Sequence, residues 1–194
     1  VRLSRRRPPF VKMHQGLNLA MNILLSAFAF EPSESSEPGV AWRFAQIASQ
    51  EHNVWILTAD FPSMVARTRA FFAVHPHPRL HVVPFWPRGI ARTNRGERVN
   101  LQYWLWQRQV IRQANHLHAM HQFSVVHQIT LSRYWTPTSL CLLPVPFVWG
   151  PVGSAESTPL TFLRTLPTRN KLQTIFRDFA RMVSERDPLL RLCA

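Results

Sequence analysis

Short apolar runs alternate with amphipathic stretches along this chain, and their order predicts its fold. Residues 22–29 form a nearly continuous apolar run, which is typical of a strand buried on both faces. A polar loop follows, then apolar residues at helical spacing over 40–48, and then a second apolar run over 54–58. Strand, helix and strand in this order predict a βαβ unit, whose two strands lie parallel in one sheet.

The alternation continues beyond this unit. Further elements are predicted as strands at 80–84, 123–127 and 146–149, a long helix at 97–122, a short helix at 137–142, and one or two helices from residue 161 onward. Strands that alternate with helices are typical of parallel sheets covered on both sides. The sequence therefore predicts an α/β fold, a Rossmann-like doubly wound parallel sheet with helices on both faces.

The two ends of the chain differ from its middle. Residues 1–20 contain five basic side chains and no acidic one, so we expect a disordered basic extension there. The domain itself is expected to occupy residues 21–194. Residues 187–194 have the composition of the first turns of another helix, so we expect the domain to be incomplete at this end.

Positive charge dominates the composition, with 23 Lys and Arg against 10 Asp and Glu, a formal net charge of +13. Such a surface suits phosphorylated small molecules, anionic lipid or nucleic acid, although an arginine bias in codon usage explains the same count. No segment approaches the apolar length of a membrane-spanning helix. Cys141 and Cys193 are too few and too isolated for a disulfide framework or a structural zinc site, so we expect a cytoplasmic protein.

Two loops at predicted strand ends could carry chemistry, because ligands of open parallel sheets bind beyond the carboxyl ends of the strands. The loop over 30–39 ends in Glu37 and Gly39 at a helix N-terminus, where backbone amides attract phosphate. A plain helix start, with Ser35 or Ser36 as its cap, explains the same residues. His127 follows the fourth strand and could contact a sugar or phosphate or carry a proton, although a structural role explains it equally.

A third loop, over 149–157, follows the fifth predicted strand. Gly150 and Gly153 shape a tight backbone turn there, and Glu156 could orient substrate hydroxyls. The alternative is an ordinary turn between sheet and helix. His118 and His121 share one face of the long helix, but no carboxylate or cysteine joins them, so no metal site is expected.

These three loops together resemble the amino-terminal domain of family 4 glycosyltransferases, retaining enzymes built from two Rossmann-like domains in the GT-B architecture. The matching segments are SSEPGVAW at 35–42, FSVVHQITLSRYW at 123–135 with Pro137, and PVPFVWGPVGSAE at 144–156 with Pro159. Their order and spacing match the family from residue 21 onward. Ala41, Ser124 and Ser154 depart from it, and Ser154 adds a side chain where the backbone is expected to approach a ligand.

The resemblance implies a domain that forms the acceptor side of a cleft. In such enzymes a carboxyl-terminal domain, missing from these residues, holds most of a nucleotide-sugar, and the sugar passes to a glycan or lipid-linked acceptor. Glu37, Gly39, Gly150, Gly153 and Glu156 would then line the substrate and phosphate site, and His127 would contact the transferred sugar. The nucleotide-sugar is a co-substrate, and neither a cofactor nor a metal is expected.

The same resemblance implies that the chain alone does not catalyse sugar transfer, because nothing in it stabilises a departing nucleoside diphosphate. Its basic surface suits peripheral contact with the inner membrane face. The alternative interpretation is a non-catalytic module that binds a sugar phosphate or a protein. Nucleic acid is not an expected partner, because charge alone favours it and no recognition motif is present.

Overall fold

The computed structural model describes residues 20–32, 35–92, 97–131, 133–153 and 158–193. Its strands are β1 (Asn22–Ala27), β2 (Asn53–Ala59), β3 (Leu80–Phe85), β4 (Val125–Gln128) and β5 (Phe147–Trp149). Its α-helices are α1 (Ser36–Ala48), α2 (Pro62–Val74), α3 (Glu97–His121), α4 (Leu160–Thr165), α5 (Thr168–Ser184) and α6 (Pro188–Cys193). A short 3₁₀ helix spans Ser139–Leu142.

The five strands are all parallel and form one sheet in the order β3-β2-β1-β4-β5. The register places Leu24 of β1 opposite Trp55 on one side and Val126 on the other. The chain therefore builds outward from β1 to β3, and then returns to add β4 and β5 beyond the other side of β1. This reversal creates a topological switch point between β1 and β4, and it confirms the predicted doubly wound α/β sheet.

Helices α1 and α2 cover one face of the sheet. Leu25 and Ile56 project from the strands into a buried cluster with Ala45 of α1. Trp42 extends this cluster toward α2, where its ring meets Phe71 edge-on at a centroid distance of 5.4 Å. The small side chain at Ala45 lets α1 lie close to the sheet, and the larger rings fill the space between the two helices.

Helix α3 and the 3₁₀ helix cover the opposite face. Leu24 of β1 is buried there against Trp106 and Val110 of α3 and Leu140 of the 3₁₀ helix. Trp106 is fully buried, and its Nε1–H donates a hydrogen bond of 3.1 Å to the carbonyl oxygen of Phe85. One side chain thus contributes both apolar contact and a satisfied polar group to the core.

Helix α2 and the start of α1 differ from the sequence expectation. Residues 62–74 form a helix that the apolar pattern does not predict, because only Met64, Val65 and Thr68 of it are buried. Ser35 occupies the N-cap position of α1, but its side chain makes no capping hydrogen bond, and Ser36 adopts a positive φ of 68°. The expected side-chain cap is therefore wrong, and Glu37 supplies the favourable negative charge of the first turn.

Several boundaries are also shifted by a few residues. β1 ends at Ala27 rather than at residue 29, and α1 ends at Ala48 rather than near residue 52. The short helix predicted from residue 137 begins at Ser139, because the hydroxyl of Thr138 accepts the Leu140 N–H at 3.3 Å. The predicted disordered extension falls, apart from residue 20, outside the described residues.

Candidate functional site

The switch point between β1 and β4 opens a crevice at the carboxyl edge of the sheet. The loops that follow β1 and β4 leave this edge in different directions, because they lead to α1 and to the 3₁₀ helix, which cover opposite faces. Crevices of this kind are where doubly wound folds bind their ligands. The loops after β1, β4 and β5 are therefore the expected location of a binding site.

Glu37 connects the first two of these loops. It lies exposed in the first turn of α1, and its Oε2 accepts a hydrogen bond of 3.0 Å from the backbone N–H of Leu131. Leu131 has a positive φ of 50°, a conformation that a side-chain acceptor at its N–H helps to hold. The carboxylate thus fixes the helix start against the loop that follows β4.

Buried polar side chains anchor the loop after β4 through hydrogen bonds to its backbone. The Tyr103 hydroxyl donates to the carbonyl oxygen of Leu131 at 2.6 Å, and Gln128 Nε2 donates to that of Thr130 at 3.1 Å. Burial raises the pKa of Tyr103 well above its ordinary value, so the phenol keeps its proton and remains a donor. A loop with several internal anchors presents its outer groups in a fixed arrangement.

His127 lies half-buried near the end of β4 and links that strand to the third loop. Its Nε2 is 2.8 Å from the carbonyl oxygen of Gly150, and its ring meets Phe44 of α1 edge-on at 5.6 Å. Because a carbonyl oxygen only accepts, Nε2 carries the hydrogen, and in the neutral ring Nδ1 is the acceptor. The ring is therefore oriented on two sides by the protein itself.

The loop after β5 is joined to the loop after β4 at a second point. Gly150 has a φ of 149° and precedes a cis peptide bond to Pro151, and its N–H donates to the carbonyl oxygen of Gln128 at 3.0 Å. The carbonyl oxygen of Gly153 accepts from the Tyr134 N–H at 2.9 Å. Two hydrogen bonds thus bracket the turn and align it with the neighbouring loop.

The structure brings four of the predicted site residues to this edge, namely Glu37, His127, Gly150 and Gly153. Gly39 is buried in the first turn of α1, so its proposed contact with phosphate stays a prediction. Glu156 lies outside the described residues. Sequence reasoning did not single out Tyr103 as a site residue, and its buried polar group is not a specific signal, because α3 also buries Gln102 and Gln107.

A cavity of about 640 Å³ lies beside these loops, between the first half of α3, the loop after β4 and α5. Its walls combine aromatic rings with cationic groups, from Trp104, Trp135, Phe176, Arg133 and Arg177, and Asn100 and Leu101 complete the lining. Arg133 donates to Asn100 Oδ1 at 2.8 Å, and its guanidinium lies 5.4 Å from the centre of the Trp135 ring. Rings and guanidinium groups in one cleft suit a ligand with both apolar faces and negative charge.

Comparison with protein-family models, with curated proteins and with solved structures finds no match to this chain. Among the residues that the structure describes, no three His, Cys, Asp or Glu side chains come together as a metal site would need. None of the helices in that same part of the chain has the length and apolar character to cross a membrane.

Proposed function

We propose that the chain is the acceptor-side domain of a retaining glycosyltransferase with the GT-B architecture, similar to family 4. The observation that carries this proposal is the convergence of three loops that are far apart in sequence. The hydrogen bonds from Leu131 to Glu37, from His127 to Gly150, and from Tyr134 to Gly153 join the same segments that carry the sequence resemblance. The parallel order β1-β4-β5 brings the three loops to one edge, and these hydrogen bonds then join the resembling segments to one another.

In this proposal a second domain holds the nucleotide-sugar, and the cavity beside the loops receives a glycan or lipid-linked acceptor. Arg133 and Arg177 suit a phosphate on that acceptor, and Trp104 and Trp135 suit the apolar faces of its sugars. His127, already oriented by Gly150 and Phe44, contacts the transferred sugar from the switch-point side. Without the second domain the chain binds acceptor but does not transfer, and no metal is required.

Replacing His127 with alanine in the complete enzyme is expected to lower kcat/KM by about 100-fold, the usual contribution of one positioned polar group. The measurement is transfer of labelled sugar from UDP-, GDP- and ADP-sugars to lipid and glycan extracts. His116→Ala is the matched control, because His116 is an exposed histidine of α3, and it should retain full activity. Equal rates for His127→Ala and His116→Ala would mean that His127 does not contribute to the site.

The alternative, a non-catalytic module for a sugar phosphate or a protein, leads to a different result in the same assay. Such a module would bind nucleotide-sugars or phosphorylated glycans by calorimetry, yet no sugar would be transferred even by the complete protein. Turnover by the complete protein, together with acceptor binding by this domain, favours the transferase.

Helix α5 supports the idea that the acceptor is carried by a lipid. One side of it exposes apolar side chains, with 57 % of Phe179 and 72 % of Phe176 accessible, and Leu172 and Ile175 are exposed beside them. Basic residues Arg164, Arg169, Lys171 and Arg177 lie close to these positions along α4 and α5, and Arg164, Arg169 and Arg177 among them are exposed. An exposed apolar stripe flanked by cations matches a bilayer with anionic headgroups, so we infer peripheral contact with the cytoplasmic membrane face.

Replacing Phe179 with alanine is therefore expected to weaken vesicle binding by about tenfold, since one buried aromatic side chain contributes about 1.5–3 kcal/mol. The measurement is co-sedimentation with vesicles of phosphatidylcholine and phosphatidylglycerol. Asn170→Ala, on the polar side of the same helix, should change binding less than about twofold. The wild-type protein could fail to bind these vesicles and instead self-associate at the same concentrations. That result would mean that a second copy of the chain, rather than a membrane, covers the apolar face.

A further inference from the structure

The two cysteines are distant in sequence but adjacent in the folded chain. Cys141 lies in the 3₁₀ helix and Cys193 at the end of α6. Both sulfur atoms lie within hydrogen-bond distance of the same acceptor, the carbonyl oxygen of Thr138, at 3.2 Å from Cys141 Sγ and 3.3 Å from Cys193 Sγ. The expectation that they are isolated from each other is wrong, because α6 packs directly against the 3₁₀ helix.

The pair is chemically asymmetric. The hydrogen bond from the Cys193 thiol lowers the pKa of the Cys141 thiol, and the same contact together with burial raises the pKa of Cys193. Cys141 is thus the better thiolate, and Cys193 is the neighbouring proton donor. Both side chains are only half-buried, so a small oxidant reaches them without unfolding.

We propose that Cys141 and Cys193 form a site of reversible oxidation, a disulfide that closes when the protein meets a hydroperoxide. The Cys141 thiolate attacks one peroxide oxygen, the O–O bond breaks, and Cys141 becomes a sulfenic acid while the other oxygen leaves and is protonated to water. The Cys193 sulfur then attacks Cys141 Sγ, the S–OH bond breaks, and the hydroxide takes the Cys193 proton. Two thiols lose two electrons, and hydrogen peroxide becomes two waters.

The new bond would fasten α6 to the 3₁₀ helix across a loop of about 50 residues, which restricts the unfolded chain strongly. Existing contacts already hold α6 in place for this step. Asp187, just before α6, pairs with Arg108 of α3, and Ser139 of the 3₁₀ helix donates to the carbonyl oxygen of Gln107 at 2.8 Å. Closure therefore needs only local movement of two side chains on elements that are in contact.

The experiment treats the purified chain with hydrogen peroxide and follows it by intact mass, by non-reducing peptide mapping and by thermal unfolding. We expect a monomer that has lost two hydrogen atoms, a peptide pair joined through residues 141 and 193, and a midpoint raised by about 5–10 °C. Dithiothreitol should reverse all three changes. The sequence holds only these two cysteines, so an intramolecular disulfide in it can have no other assignment.

Cys141→Ser and Cys193→Ser provide the controls, because each keeps a small hydrogen-bonding side chain and removes one sulfur. Peroxide should leave the unfolding midpoint of both variants unchanged. Three results would overturn the proposal: two free thiols after peroxide treatment, oxidation that stops at sulfinic acid, or disulfides found only between two chains. The assay uses neither nucleotide-sugar nor acceptor, so its outcome is independent of the proposed transferase activity.

Discussion

Replacing Trp106 with alanine is expected to lower the free energy of unfolding by about 4 kcal/mol, near the upper end for a buried tryptophan. The side chain is fully buried, its ring meets Phe28 edge-on at 5.5 Å, and its Nε1–H satisfies the carbonyl oxygen of Phe85. Truncation would leave a large cavity and remove one of the two donors of the Phe85 carbonyl oxygen, which keeps the Asp60 N–H at 3.2 Å. A domain of this size has only about 5–15 kcal/mol in total, so this one substitution would remove roughly a quarter to four fifths of its stability.

Trp104 provides the matched control, two residues earlier on the same helix. It is 40 % exposed, and its main specific contact is the Arg108 guanidinium 4.9 Å from its ring centre. Trp104→Ala should therefore cost only about 1 kcal/mol. Urea denaturation followed by far-UV circular dichroism measures both variants. Similar losses from the two would mean that α3 does not pack as described.

Replacing Gly150 with alanine is expected to cost about 2 kcal/mol and to reduce acceptor binding at the proposed site. Space is not the reason, since the added Cβ would lie 3.4 Å from the nearest atom, the backbone nitrogen of Val152. The reason is the φ of 149°, which side chains other than glycine rarely adopt. The backbone would rotate, and the carbonyl oxygen that receives His127 Nε2 would move with it.

Gly153 tests the same loop without that strain. Its φ lies outside the left-handed region, and no atom of the residues that the structure describes lies within 4 Å of the place that an added Cβ would take, so Gly153→Ala should change stability by less than about 0.5 kcal/mol. Thermal unfolding and acceptor titration on the two variants give a direct comparison. If Gly153→Ala is as damaging as Gly150→Ala, then the whole loop, rather than one dihedral angle, determines the site.

The sheet was the most predictable part of the molecule. Each of the five strands falls within two residues of an apolar run in the sequence. For β1 and β2 the reason is burial on both faces, which needs near-continuous apolar side chains. Helix α2 was not predicted, since it fully buries only Met64, Val65 and Thr68, and Phe71 and Phe72 are only partly buried against Trp42. With so few fully buried positions, the sequence of α2 shows little helical periodicity in its apolar residues.

The site was predictable in its parts but not in its connections. Glu37, His127 and Gly150 were singled out because each sits at a predicted strand or helix end. Their partners are backbone groups such as the Leu131 N–H, and every residue has such groups, so composition carries no information about them. The approach of Cys141 and Cys193 was hidden for a related reason, because it depends on where α6 docks.

The strand order also has a consequence for how the molecule folds. β1, β2 and β3 pair through connections of one helix each, so this half can assemble from contacts that are close in sequence. β4 must return to β1 across the whole of that half, and the bond from Ala29 to Thr130 joins residues 101 positions apart. Closing such a loop is entropically slow. The crevice that collects Glu37 and His127 is therefore expected to take shape late, after the scaffold beneath it has formed.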